Sequence, residues 1–162
     1  MKTDYKILSL EQLKKKIASL RRQKKEIAFT NGCFDILHYG HVSYLESAKK
    51  EGRVLMVGLN SDASVSRIKG PLRPITGQKE RAAILAALEC VDFVTIFNED
   101  TPIEVIKALK PDILVKGADW KDKTVVGSKE VQSYGGKIEY IKYLPEFSTT
   151  NVIETIFNRC PK

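Results

Sequence analysis

His38 and His41 are the only two histidines of the chain, and they stand three residues apart with Gly40 between them. An imidazole can donate a hydrogen bond or carry a proton near neutral pH, so a pair at this spacing can serve one phosphate group. The same pair is also half of a metal site, and Cys33, five residues before His38, admits a zinc ion or a Cys–His nucleophile. No third ligand is evident in the sequence. The setting narrows the chemistry. Residues Thr30 to His41 read T-N-G-C-F-D-I-L-H-Y-G-H, after a short apolar run from Glu26 to Thr30 and before Val42, from which Leu45 and Ala48 return at helical spacing. That pattern predicts a strand-to-helix turn. The first N–H groups of a helix and its dipole favour an anion, and Gly32 lets a phosphate come close to the backbone.

The elements that must position this turn are those of an α/β chain. Ser9-Leu10-Glu11-Gln12 has the form of a capping box and predicts an N-terminal helix over about 9–22, with Leu10, Leu13, Ile17 and Leu20 on one face. The helix opened by the turn should end near Gly52. Arg53 to Leu59 is a continuous apolar run, the signature of a strand buried on both faces of a parallel sheet. Asn60-Ser61-Asp62 then marks a second strand-to-helix turn, and Arg67 to Thr76 reads as a mobile basic loop carrying Lys69, Gly70, Arg73 and Pro74. Thr76 is expected to cap a helix through about Glu89, with Ile84, Leu85 and Leu88 inward and Arg81 on another face. Val91 to Phe97 predicts the third strand, and Thr101-Pro102-Ile103-Glu104 a capping box with proline at the first helical position. Ile113 to Lys116 and Lys137 to Ile141 complete five strands, with a short helix from Ser128 to Tyr134 between them. Ser148-Thr149-Thr150-Asn151 opens a last helix bearing Val152, Ile153 and Ile156, where the hydroxyls suit an N-cap and equally a phosphate. The expected fold is a Rossmann-like, doubly wound, five-stranded parallel sheet with helices on both faces, in one domain spanning 1–162.

Composition narrows the partners. No apolar run approaches the length of a membrane span and no signal-peptide pattern opens the chain, which points to the cytoplasm. Cys33, Cys90 and Cys160 form no C-x-x-C pair, so free thiols in a reducing compartment are expected. The 27 Lys and Arg against 20 Asp and Glu give a formal charge of +7, which attracts phosphorylated partners. Much of the excess lies in Lys14-Lys15-Lys16 and in Arg21-Arg22 with Lys24-Lys25, a solvated helical face without interleaved aromatics, and this argues against nucleic acid.

The extended motif resembles the signature of the nucleotidyltransferase superfamily that holds cytidylyltransferases, pantetheine-phosphate adenylyltransferase and the adenylyltransferase part of bifunctional ADP-heptose synthase. Asn60-Ser61-Asp62, Lys69-Gly70 with Arg73-Pro74, Arg81, Val115-Lys116-Gly117 with Asp119, Gly127 to Val131, and Ser148 to Asn151 resemble the heptose branch in order and spacing, over about residues 8 to 157. The resemblance implies transfer of AMP from ATP to D-glycero-β-D-manno-heptose 1-phosphate, with release of pyrophosphate, for the lipopolysaccharide inner core. It implies magnesium carried with the ATP, no metal-ligating residue, and a homodimer. His38, His41 and Lys69 take the catalytic roles. Asn31, Gly32, Cys33, Phe34 and Gly40, together with Arg81, Lys116, Gly117, Asp119, Ser148, Thr149 and Thr150, hold the nucleotide. Asp35, Asn60, Asp62 and Arg73 fall to the acceptor substrate, with Asp35 fixing the loop rather than acting as an acid. Cytidylyltransferases of similar pattern place an arginine before the S-T-T; Tyr143 to Phe147 lacks one, which favours adenine. The alternative is another sugar- or polyol-phosphate nucleotidyltransferase, such as a glycerol-3-phosphate cytidylyltransferase. Outside the enzymes, it is a nucleotide-sensing or nucleic-acid-binding module on the same fold.

Overall fold

A computed structural model describes residues 2–121, 124–142 and 146–160. Its centre is a parallel sheet of five strands: β1 (Glu26–Gly32), β2 (Arg53–Asn60), β3 (Phe93–Phe97), β4 (Ile113–Gly117) and β5 (Lys137–Ile141). Their spatial order is β3-β2-β1-β4-β5, so the winding reverses between β1 and β4. Every residue of β2 is buried, as its uninterrupted apolar run required.

Helices cover both faces because the strands alternate their side chains between two cores. Ala28, Leu55, Val57 and Val115 pack with Leu45 and Ala48 of α2 (Tyr39–Ala48) and with Ala82, Leu85 and Ala86 of α4 (Gln78–Ala87). Ile27, Phe29, Met56 and Leu114 pack with Leu13 and Ile17 of α1 (Leu10–Arg22). The same face takes Val105, Ile106 and Leu109 of α5 (Ile103–Leu109) and Val131 of α6 (Ser128–Ser133). Helix α3 (Asp62–Lys69) follows β2, and α7 (Thr149–Arg159) ends the described chain. The doubly wound sheet expected from the sequence is the observed one, and α1 carries the complete Ser9–Gln12 capping box.

Several boundaries differ, each for a local reason. Helix α2 starts at Tyr39, not Val42, because His38 is already its N-cap; His41 therefore lies in the first turn. The same helix ends at Ala48, and Gly52 occupies the following turn at φ +76°. Residues 67–69 belong to α3, not to a loop. Gly77 rather than Thr76 caps α4, which ends at Ala87. Leu85 is buried and Leu88 packs on the core as expected, but Ile84 faces outward and Arg81 shares the buried face. Pro102 itself caps α5 and no side chain bonds there, so the capping box read at Thr101 to Glu104 does not form.

Candidate active site

The turn after β1 holds a conformation that its residues resist by themselves. Phe34 and Ile36 sit at φ +44° and +52°, a left-handed region costing an L-residue about 1–2 kcal/mol. Surrounding groups over-determine it. The Phe34 ring is buried over Gly32, where an added Cβ would come within 3.1 Å of it. The Asp35 carboxylate is buried and accepts from the Ile75 and Thr76 amides at 2.9 and 3.0 Å and from the Arg73 guanidinium at 2.7 Å. Burial alone would raise its pKa, but these backbone donors and Arg73 outweigh it and hold Asp35 below its ordinary range. The Thr149 hydroxyl donates to the Asp35 carbonyl at 2.8 Å, tying the start of α7 to the turn. Asp35 is thus the loop-fixing acceptor read from the sequence, and Arg73, Ile75 and Thr76, within the Arg67–Thr76 stretch expected to be a mobile loop, are pinned to it.

Above this turn the two imidazoles stack, with ring centroids 3.8 Å apart and planes 27° from parallel. Gly40 makes the stack possible: a Cβ there would lie 3.0 Å from Cβ of Phe147 and 3.2 Å from the His38 ring. Both rings keep Nδ1 out of solvent and without a hydrogen-bond partner among the described residues, which leaves Nε2 as the polar edge of each. Burial first, and then the neighbouring His38, push His41 down to about 4; burial lowers His38 as well. Protein groups alone therefore hold the pair neutral near pH 7. A phosphate set against Nε2 would supply the opposing charge that draws the rings toward the cation.

Two expected outcomes follow from this geometry. For stability, the unfolded histidine titrates near its ordinary 6.5 and the folded His41 near 4. The unfolded state then binds more protons between those values, so the pair's contribution is complete above pH 6.5 and is lost as pH falls toward 4. Thermal melts of the ligand-free protein across that window should show a falling midpoint, and His41→Phe should flatten the fall. For turnover, Gly40→Ala forces His38 or Phe147 to shift by a few tenths of an ångström. The fold survives, since alanine suits a helix, while kcat measured at saturating substrate drops about tenfold.

Both rings line one cavity of about 630 Å³ along the carboxyl edge of the sheet, where open α/β sheets place ligands. Of the residues singled out from sequence, it gathers Asn31, Gly32, Cys33, Phe34, Asp35, Gly40, Asn60, Lys69, Arg73, Lys116, Gly117, Asp119, Ser148, Thr149 and Thr150 around the histidines. Lys69, the last residue of α3, stands exposed at the rim. Ser148 also caps α7 through the Asn151 amide. Burial pushes the Cys33 thiol up despite Lys69, Arg81 and Arg73 nearby, so it stays protonated and is no thiolate nucleophile.

Two residues fall elsewhere. Arg81, expected to reach the nucleotide phosphates, is 1% exposed and lies behind the cavity wall. Its guanidinium donates to the carbonyls of Thr76, Cys33 and Asn60 and to the Asp62 carboxylate. Those donors are taken, so Arg81 braces the turn, and Asp62, expected at the acceptor substrate, serves as its counter-ion. Sequence reasoning missed Tyr44, whose hydroxyl pairs with Thr30 at 2.7 Å, and Asp100, Thr101, Pro102 and Lys142, all lining the cavity. The last four sit just beyond β3 and β5, so the carboxyl-edge rule applied to every strand would have found them. Of the segment used to argue for adenine, residues 143–145 lie outside the described residues.

Fold and site together define the class: a doubly wound α/β protein with paired imidazoles at a helix N-terminus, on a cavity at the sheet's switch point. Residues 29–155 match the cytidylyltransferase-like family. The chain belongs to that family, and with it to the nucleotidyltransferases. It is 54% identical over 156 residues, 96% of its length, to the bifunctional protein HldE of Syntrophotalea carbinolica. Against HldE of Campylobacter jejuni it is 56% identical over 151 residues, 93% of its length. The chain spans about a third of each of these relatives, 32% and 31%. Among solved structures it resembles the lipopolysaccharide core biosynthesis protein of Thermoplasma volcanium, at TM-score 0.58 and 28% identity, over 74% of this chain and 96% of that one. Pantoate-beta-alanine ligase of Francisella tularensis shares the fold, at TM-score 0.61 and 18% identity, over 94% and 77% of the two chains.

Proposed function

We propose that this chain transfers an adenylyl group from ATP to D-glycero-β-D-manno-heptose 1-phosphate, giving ADP-heptose and pyrophosphate for lipopolysaccharide core synthesis. The observation that carries the reading is the stacked His38–His41 pair, held at the head of α2 and opening onto a cavity large enough for a nucleotide and a sugar phosphate side by side. Identity above 50% to HldE proteins and the named role of the Thermoplasma volcanium structure support the heptose branch, as do the motif resemblances from Asn60 to Asn151.

A phosphate monoester oxygen is already anionic near neutral pH, so no general base has to deprotonate it. The acceptor's phosphate oxygen attacks the α-phosphorus in line; the new P–O bond forms as the bond to the bridging α–β oxygen breaks, and pyrophosphate leaves with that electron pair. Catalysis is then positioning and charge stabilisation. The Nε2–H groups of His38 and His41 donate to the oxygens that gain charge, the amides of Gly32 to Phe34 hold the α-phosphate, Lys69 neutralises the outer phosphates, and Arg73, tied to Asp35, lies toward the acceptor. Asp35, Asp62 and Asp100 are taken up by Arg73, Arg81 and Arg67. Among the described residues no cluster of three or more acidic, His or Cys groups is placed to hold a metal. Magnesium carried with the ATP would shield its phosphates.

The chain works in this reading as one nucleotidyltransferase domain, cytoplasmic and homodimeric. No helix among the described residues is long and apolar enough to cross a membrane, the three cysteines are free, and α7 leaves Ile156 and Phe157 exposed for a second copy. The test is a screen of sugar 1-phosphates and glycerol 3-phosphate, each with ATP or CTP and magnesium, read by pyrophosphate release. Heptose 1-phosphate with ATP should give the fastest release; a faster rate with CTP and glycerol 3-phosphate overturns the assignment.

A further inference from the structure

Strands β1 and β4 are neighbours where the winding reverses, yet only two residue pairs between them are in register, Ala28 with Ile113 and Phe29 with Leu114. By contrast, β1 and β2 pair continuously from Glu26 with Arg53 to Gly32 with Leu59, and β4 and β5 from Ile113 with Lys137 to Gly117 with Ile141. Past Phe29 and Leu114 the two central strands part, and the ligand crevice of a doubly wound sheet opens there. Two steps further along each strand, Asn31 and Lys116 meet across the gap, with Lys116 Nζ donating to Asn31 Oδ1 at 2.5 Å. Both line the cavity. The lysine amine lies 5.9 Å from the Trp120 ring, and burial pulls its pKa down to about 8, so it is still an ammonium at neutral pH.

An ammonium has three donors and no acceptor, so it dictates which end of an amide faces it. Oδ1 of Asn31 must turn toward Lys116, because a rotated amide would set NH₂ against NH₃⁺. The NH₂ group is thereby turned the other way. Nδ2 is not among the buried, unpartnered atoms, and no hydrogen bond among the described residues claims it. Polarised by the cation behind it, this amide is a stronger donor than a free one, and an anion is its natural acceptor.

We infer that Lys116 is a positioning residue: it locks the Asn31 amide so that its NH₂ donates to a phosphoryl oxygen of the bound nucleoside triphosphate. This rests on the nucleotide reading above and goes beyond it by assigning the contact to Asn31 and the control of that contact to Lys116. The test is calorimetric titration of ATP with magnesium, without acceptor, into the wild type, Lys116→Met, Asn31→Ala, their double variant and Asn31→Asp, with thermal melts to confirm folding. If Lys116→Met melts early, Lys116→Gln takes its place. Each single substitution should weaken binding about tenfold and the double variant no further, since the two act on one hydrogen bond. Asn31→Asp keeps an acceptor for Lys116 but removes the donor, and should weaken binding at least as much as Asn31→Ala. Fold-changes that multiply in the double variant, or full affinity in Asn31→Asp, overturn the inference, because Lys116 would then touch the nucleotide itself. A folded wild type that takes up no ATP overturns instead the adenylyl-transfer reading beneath it.

Discussion

His41→Ala should lower turnover about 10²- to 10³-fold, the usual cost of removing one preorganised donor from a charge-stabilising site, while the melting temperature changes little. The asymmetry comes from the ring's surroundings. Nδ1 of His41 makes no hydrogen bond among the described residues, so truncation orphans no partner, and the ring's burial already penalises its charged form. Its polar capacity is held for something outside the fold. The loss should appear in kcat at saturating ATP and acceptor, not mainly in KM, because the extra negative charge exists only as the α-phosphorus is attacked. His38→Ala should behave alike, and the double variant should lose much less than the product of the singles, since stacked rings act as a unit. Turnover within threefold of wild type in His41→Ala would refute the catalytic assignment.

Arg81→Leu should produce the opposite signature, a protein destabilised by about 3 kcal/mol or more before any substrate is added. Removing the guanidinium leaves the carbonyls of Thr76, Cys33 and Asn60 without their donor, and an orphaned buried polar group costs about 1–3 kcal/mol. The Asp62 carboxylate is partly exposed and can hydrate, so it adds little. For a chain of this size each kcal/mol moves the melting temperature by about 2–4 °C, so a drop near 10 °C is expected in the ligand-free protein. Arg81→Lys should recover only part of it, because one ammonium cannot span the fork of acceptors. The brace holds the phosphate turn from below, so kcat should fall in step with stability. An Arg81→Leu protein with a wild-type melt and a raised KM for ATP would instead restore the phosphate-gripping role that the sequence pattern implied.

The contrast between these residues shows what a sequence makes legible. The fold was readable because Val54 to Leu59 is apolar at every step, and a parallel strand buried on both faces leaves little choice. His38 and His41 were readable because strand, glycine, paired imidazoles and helix occur in one short segment. Arg81 was misread because its charge set it on a face away from Leu85, although i, i+4 spacing places the two on one face and both are buried. A guanidinium surrounded by the end of β2 and two turns can be the largest fully buried side chain of its helix while Ile84 stays outside. Thr101 was misread as a cap because the T-P-x-E pattern fits that role equally well, whereas the structure puts Pro102 at the cap and Thr101 on the cavity wall. Tyr44, Asp100 and Lys142 were not singled out at all. Each comes from a different element, and only the strand order β3-β2-β1-β4-β5 brings them to one edge.

The most direct test of adenylyl transfer follows the phosphorus atom that the imidazole pair is placed to serve. With ATP labelled at its α-phosphorus, heptose 1-phosphate and magnesium, all of the transferred label should appear in the nucleotide-sugar product and none in pyrophosphate. Label that moves to the sugar only when ATP is marked at its γ-phosphorus would mean attack at the far end of the triphosphate, and would contradict the role given to His38 and His41.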